Sequence, residues 1–379
     1  MLKNSGMSVP SLSVPERLLL GPGPSNSHTL VLEALSCQPV GHLDPFYIDL
    51  MAEVQELLRD VWQTSNRLTL PMSGTGSAAM EATIANIIEP GETFLVGIYG
   101  YFGNRLADMA SRYQAKVRTI EKPWGEAFSL DDIESALIKY KPSVFALVHA
   151  ETSTGVCQPM QQIGDLCLRY NCLLILDTVT SLGSIPLFLD EWKVDLAYSC
   201  SQKGLSCPPG LGPFTMNKRA EEKLNNRKGK VPNWYLDLSL LNQYWGSDRV
   251  YHHTAPVNMN FGIREALRLI VEEGLGNSWD RHRINAEALW NGLESMGLEL
   301  HVKEELRLPT LTTVKIPNDI NGKSFAQHLL NNFGVEIGGG LGELAGKVWR
   351  IGLMGYNSQK KNVDKILNLF ESELPKFKG

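Results

Sequence analysis

Residues 173–204, LLILDTVTSLGSIPLFLDEWKVDLAYSCSQKG, decide how this chain is read. Leu173 to Leu176 form an apolar run that ends on Asp177, and Val194 to Tyr198 form a second that leads into Ser201-Gln202-Lys203-Gly204. Apolar runs without strict alternation belong to strands buried on both faces, and such strands are mostly parallel. Open α/β sheets bind ligands beyond the carboxyl ends of their strands. A carboxylate and an amine at two successive strand ends are therefore expected to share one crevice.

Outward from this stretch the alternation of strand and helix continues. Strands are expected over 94–97 and 144–148, and helices over 28–36, 81–88, 104–112, 160–170 and 261–273. Ser129, with Asp132 at the third helical position, reads as the N-cap of a helix reaching Tyr140. Gly21-Pro22-Gly23-Pro24-Ser25-Asn26 reads as a rigid turn. Residues 225–258 are aromatic and irregular, and so long a stretch without periodicity marks function or an interface. With 379 residues, more than one core is expected. The spacing of elements divides the chain into an N-terminal arm (1–20), a large domain (21–273) and a smaller C-terminal α/β domain (274–379).

Composition narrows the function. A hydrophobic content of 43% with 20% charged residues describes a folded chain, and a net charge of -5 argues against nucleic acid as a partner. No apolar run approaches the ~20 residues that cross a bilayer. The six cysteines form neither a CxxC pair nor a Cys/His ligand set, so they read as reduced core residues and no metal site is expected. Residues 1–6 lack an apolar leader core and residues 375–379 carry no targeting signal, which leaves the cytoplasm as the expected location.

Four features carry chemistry. Ser73-Gly74-Thr75-Gly76-Ser77 offers backbone amides, two hydroxyls and a helix N-terminus to a phosphate. Gly74-x-Gly76 also fits a dinucleotide fingerprint, although no acidic residue closes a second strand about twenty residues on. Asp177 either caps a helix over Thr178 to Leu182 or pairs with a protonated ring nitrogen, since a buried carboxylate needs a partner. Lys203 lies between small and rigid residues rather than on a charged surface, and a partly desolvated lysine has a lowered pKa that suits imine formation. Arg350, in Val348-Trp349-Arg350-Ile351-Gly352, sits in an apolar run behind Gly338-Gly339-Gly340-Leu341-Gly342, read as a flexible loop. It demands an anion, either a substrate carboxylate or an acid such as Glu343. Phosphate cradle, buried carboxylate and strand-end lysine, in that order, are what pyridoxal phosphate chemistry requires.

The residues now resemble a known family, the alanine/serine–glyoxylate aminotransferases of class V, which are fold type I pyridoxal phosphate enzymes. The resemblance runs over Leu20 to Asn26, Ser73 to Gly76, Glu151 to Val156, Asp177 with Ser181-Leu182-Gly183, Ser201 to Lys203, Tyr251 to Thr254, and Arg350 to Gly352. It implies a large domain with a mostly parallel, seven-stranded sheet flanked by helices, and a homodimer. It implies that Lys203 forms the Schiff base and that Asp177 pairs with the pyridine nitrogen. It sets Thr75, Gly76, Ser77 and Gln202 around the phosphate, Ser153 near ring and substrate, and Arg350 on the substrate carboxylate. Tyr251 and Thr254 would reach the partner's site, and Phe102, or Tyr101 beside it, would stack on the ring. The reaction expected is amino transfer from alanine or serine to glyoxylate with ping-pong kinetics. Kynurenine-type or phosphonate amino donors are the alternative within the fold. A cysteine desulfurase is disfavoured because all six cysteines precede residue 208. A nicotinamide-dependent dehydrogenase is the alternative from another class.

Overall fold

A computed structural model of the chain describes residues 10–377. Its centre is a sheet of seven strands, lying side by side as Leu68–Ser73, Leu211–Met216, Leu196–Tyr198, Leu173–Asp177, Val144–Val148, Thr93–Ile98 and Lys116–Glu121. Leu211–Met216 runs against both its neighbours, and the remaining pairs are parallel. The first five are buried at every residue, as apolar strands covered by helices on both faces must be. The edge strand Lys116–Glu121 exposes Lys116, Arg118 and Glu121, charges that discourage pairing with another chain.

Several helices start earlier than their sequence signals. The helix expected from residue 81 begins at Gly76, because the glycine-rich run supplies its first turn. The helix expected from Asn104 begins at Tyr101. Ser129 and Asp132 form a reciprocal capping box at the head of Leu130–Tyr140, as the spacing predicts. The 18-residue helix Pro45–Trp62 has no counterpart in the sequence reading; Asp44 caps it by accepting from the Phe46 amide, and Pro45 opens it. The irregular stretch 225–258 contains one helix, Leu238–Trp245, capped by Asp237.

A second apolar core gathers Leu289, Leu293, Phe325, Leu329, Trp349, Ile351, Ile366 and Phe370 beside a three-stranded antiparallel sheet. The order of that sheet is Leu311–Lys315, Val348–Gly352, Gly338–Gly339. The expected flexible glycine loop is thus in part a strand, with Gly338 opposite Arg350. Close packing explains the glycine at 338, where a Cβ would meet Pro22 Cδ at 2.4 Å. The arm expected over 1–20 is described from Pro10 onward. Met1–Val9, with the leader question, lie outside the described residues, as do Lys378 and Gly379 of the tail. Leu18–Leu19 pairs in parallel with Val335–Glu336, and Leu20 enters the second core, so the arm's end packs with the C-terminal residues. Among the described residues no helix is long and apolar enough to cross a membrane.

Candidate active site

Asp177 is the last residue of its strand and only 2% exposed. Its Oδ2 accepts from the Tyr198 hydroxyl at 2.6 Å and its Oδ1 from the Val179 amide at 2.9 Å. Burial pushes the carboxyl up to about 6 from its ordinary 3.8, against the pull of both hydrogen bonds. No cation lies within ion-pair distance of it among the described residues. The carboxylate therefore has its lone pairs partly used and its charge unpaired.

Lys203 lines the same cavity as Asp177. Burial is the main cause that lowers its pKa; Arg350 and Arg105 add to the effect, while Cys200 and Asp177 oppose it. Its stem is covered by the Gly21–Asn26 turn. A Cβ on Gly23, whose φ is +103°, would stand 2.5 Å from Lys203 Cδ and 2.6 Å from Nζ. The amine donates to the Pro22 carbonyl, and Ser25 fastens the turn by donating its hydroxyl to the Lys203 carbonyl at 2.9 Å. Only glycine permits that approach.

The Ser73–Ser77 run behaves as a phosphate cradle should. Gly74, with φ +147°, bends the chain out of the strand, and Thr75 becomes the N-cap without spending its hydroxyl on the helix. The first amides of Gly76–Ile87 have no partner inside the helix and carry the positive end of its dipole. A Cβ on Gly76 would meet Cys200 Cβ at 2.7 Å, so the backbone there can come close to a ligand and to the Lys203 strand end. His253 reaches back to this run, with Nε2 2.7 Å from the Ser73 hydroxyl.

Thr75, Gly76, Ser77, Gln202, Asp177, Lys203 and Phe102 all line one cavity of about 210 Å³. Thr180 and Arg105 join them. The Thr180 hydroxyl and Gln202 Oε1 are buried and have no partner in the protein. A lysine with depressed pKa, a buried carboxylate without a cation, an unspent helix N-terminus and orphaned polar atoms fit a phosphorylated pyridine aldehyde. Arg350 stands beside this cavity, 5% exposed. Its Nε donates to the Gly339 carbonyl at 2.7 Å and a terminal nitrogen to the Thr152 carbonyl at 3.1 Å. Burial lowers its pKa to about 10, opposed by Glu151. It makes no ion pair with Glu343 or any other described acid, so its charge is left for a ligand.

Other expected residues lie elsewhere. Ser153 is fully buried and does not line the cavity; its hydroxyl donates to Glu151 at 2.6 Å and accepts the Tyr101 amide at 2.8 Å. Thr152 takes the lining position instead. Phe102 faces the cavity, whereas Tyr101 is 39% exposed. Tyr251 is 56% exposed and Thr254 is also exposed, so neither serves this protomer's cavity. Two lining or neighbouring groups escaped the sequence reading. Arg105 sits in an amphipathic helix where an arginine reads as surface; its guanidinium lies 4.8 Å from the Phe102 ring centre. Glu151, fully buried, lies in the stretch Glu151 to Val156 that carries the resemblance, from which the sequence assigned a role only to Ser153.

The geometry agrees with what the chain is similar to. A family model described as Aminotransferase class-V matches residues 33–366. The crystal structure of an alanine–glyoxylate aminotransferase from Nostoc sp. is 61% identical, with a TM-score of 0.97 and 99% of each chain covered. An alanine–glyoxylate aminotransferase from Mus musculus is 44% identical over 367 residues, covering 96% of this chain and 89% of that one. A (S)-ureidoglycine–glyoxylate transaminase from Bacillus subtilis is 40% identical over 381 residues, covering 96% and 92%.

Proposed function

The chain belongs to the class-V aminotransferases, fold type I enzymes that use pyridoxal 5'-phosphate, and on that footing we propose that it moves the amino group of alanine or serine to glyoxylate, leaving glycine and a 2-oxo acid. One observation carries the choice of acceptor: the three relatives named above, 40% to 61% identical over nearly the whole chain, each have glyoxylate in their names. The nicotinamide dehydrogenase reading of Gly74-x-Gly76 is overturned by the family, and those glycines belong to the phosphate cradle.

When bound, pyridoxal phosphate supplies an electron sink for the carbanion left as an amino acid loses its α-proton. Thr75, Gly76, Ser77 and Gln202 would hold its phosphate, Asp177 its ring nitrogen, Phe102 its ring face and Lys203 its aldehyde carbon. Lys203 Nζ, discouraged by burial from holding a full charge, accepts the α-proton and later returns it. Asp177 stays ionised once a positive group faces it, because burial alone penalises its charge. Arg350 binds the substrate carboxylate with donors its two carbonyl contacts leave free. Pro22 and Gly23 close over the lysine stem and keep water from it. Ser153 has its hydroxyl engaged by Glu151 and the Tyr101 amide, so it acts on the ring through the helix that presents Phe102.

The working unit is a homodimer in this proposal. Trp234, Tyr235, Val250 and Tyr251 form an exposed apolar patch of the kind that marks a protein interface, and Tyr251 and Thr254 would complete the partner's phosphate site. All six cysteines are unbridged, in keeping with the cytoplasm as the compartment.

The test is glycine formation from glyoxylate with alanine, serine, (S)-ureidoglycine, kynurenine and 2-aminoethylphosphonate as donors. Alanine or serine should give the highest kcat/KM. Glycine formed only from one of the other three would refute the donor assignment, and no glycine from any would refute the acceptor.

A further inference from the structure

The helix Tyr101–Arg112 has no cap of its own. Its N-cap residue is Gly100, in extended backbone, which offers no side-chain acceptor to the first amides. Those amides are satisfied from about fifty residues away in sequence. Phe102 N–H donates to Glu151 Oε2 at 3.1 Å and Tyr101 N–H to Ser153 Oγ at 2.8 Å. Glu151 Oε1 in turn accepts the Ser153 amide at 3.0 Å and the Ser153 hydroxyl at 2.6 Å. The absence of a side chain at residue 100 is what admits this carboxylate, since a Cβ there would stand 2.3 Å from Glu151 Cγ and 2.6 Å from Ser153 Oγ. A serine or aspartate at position 100 would have capped the helix locally, and the fold has given up that option.

The residue between the two capping residues is Thr152, and its carbonyl accepts from Arg350 at 3.1 Å. One short turn therefore holds two walls of the site. Its side chains fix the end of the helix that presents Phe102 and Arg105, and its backbone fixes the guanidinium. We propose that Glu151 is a positioning residue of the active site, holding Phe102 against the coenzyme ring and Arg350 against the substrate carboxylate through one turn. Glu151 touches neither coenzyme nor substrate in this role. It has no ion-pair partner among the described residues, and its charge faces the positive end of the helix it caps. The substrate half of the inference rests on the amino-transfer reading above, whereas the coenzyme half needs only that pyridoxal phosphate binds.

Glu151→Gln is the informative variant because it keeps the shape and exchanges one acceptor for a donor. With its oxygen kept on Ser153, its amide nitrogen faces the Phe102 N–H, and one helix amide loses its partner. Coenzyme release from the holoenzyme on dialysis, the circular dichroism of the bound coenzyme and the KM for alanine are the readouts. The affinity for pyridoxal phosphate should fall about tenfold and the KM for alanine rise about tenfold, the scale of one hydrogen bond to a charged group. The coenzyme's circular dichroism should weaken with them. Ser153→Ala, which removes the Tyr101 acceptor and one donor to Glu151 but leaves Glu151 on the Phe102 amide, should move the same quantities in the same direction by less. A lower melting temperature with coenzyme affinity and KM within twofold of wild type would make Glu151 merely structural and overturn the proposal. If Glu151→Gln does not fold, an unchanged Ser153→Ala overturns it instead. A wild-type enzyme that binds the coenzyme but refuses glyoxylate would sink the amino-transfer reading and leave the coenzyme arm of this test standing.

Discussion

Asp177 must carry a charge that its surroundings, without a cationic partner, discourage. Its folded pKa of about 6 lies above the ordinary 3.8, so between those values the folded state binds more protons than the unfolded chain. Stability from this group is therefore fully present below about 3.8 and lost as pH rises through about 6, a change on the order of 3 kcal/mol. Glu151, raised from 4.5 to about 7 by burial, adds a second window of the same sign. Urea unfolding of the apoenzyme from pH 4.5 to 7 should show stability falling with pH, and Asp177→Asn should remove its own part of that slope and lessen the part due to Glu151, whose pKa the Asp177 charge helps to raise. Coenzyme binding should flatten it too, since a ring N–H cation restores the carboxylate. Identical slopes in wild type and Asp177→Asn would contradict this. Asp177, Lys203 and Arg350 were legible in the sequence because a charge among apolar or small residues has few reasons to be there. The cap reading of Asp177 holds in part, since one oxygen takes the Val179 amide at the head of a turn rather than a helix, and the other takes the Tyr198 hydroxyl. Arg105 was not legible, because its neighbours Asn104 and Asp108 make it look solvated.

At the scale of elements, tight turns do as much for the site as the strands do. The strand ends deliver Asp177 and point the chain toward Lys203, and hydrophobic pattern alone reveals them. The turns that close over them depend on glycines whose purpose is contact at a distance, which pattern cannot show. Gly338 was expected to be flexible and is instead a strand residue packed on Pro22. The helix Pro45–Trp62 escaped notice although Tyr47, Leu50, Met51, Val54, Leu58 and Val61 recur at helical spacing, with Asp49, Glu53 and Glu56 on the exposed face, and Asp44-Pro45 is a start signal. Gly23 offers the clearest test. Alanine there would need a left-handed backbone, at a cost of about 1–2 kcal/mol, and would drive its Cβ into the Lys203 stem. Gly23→Ala should unfold cooperatively near the wild-type midpoint yet retain pyridoxal phosphate poorly after gel filtration. Wild-type retention would show that the turn does not govern the lysine.

For the whole molecule, the site lies where the large sheet, the arm's end and the C-terminal core meet. A small apolar cluster of Ala150, Ile185, Leu308, Leu311 and Met354 joins residues from both sides of that junction. His253 ties the segment that exposes Tyr251 and Thr254 to Ser73 of the glycine-rich run. If Tyr251 and Thr254 serve the partner's site, mixing Lys203→Ala with a Tyr251→Ala/Thr254→Ala double variant should restore activity. After random subunit exchange, half the dimers are mixed and each has one intact site, which predicts about a quarter of wild-type turnover. No recovery would place those residues in their own protomer's chemistry or in none. The proposed chemistry turns on one amine, and the most direct measurement reads that amine itself. Borohydride reduction of the holoenzyme followed by peptide mass mapping should find the pyridoxyl group on the peptide carrying Lys203 and on no other. Coenzyme fixed to a different lysine, or washed away unreduced, would contradict it.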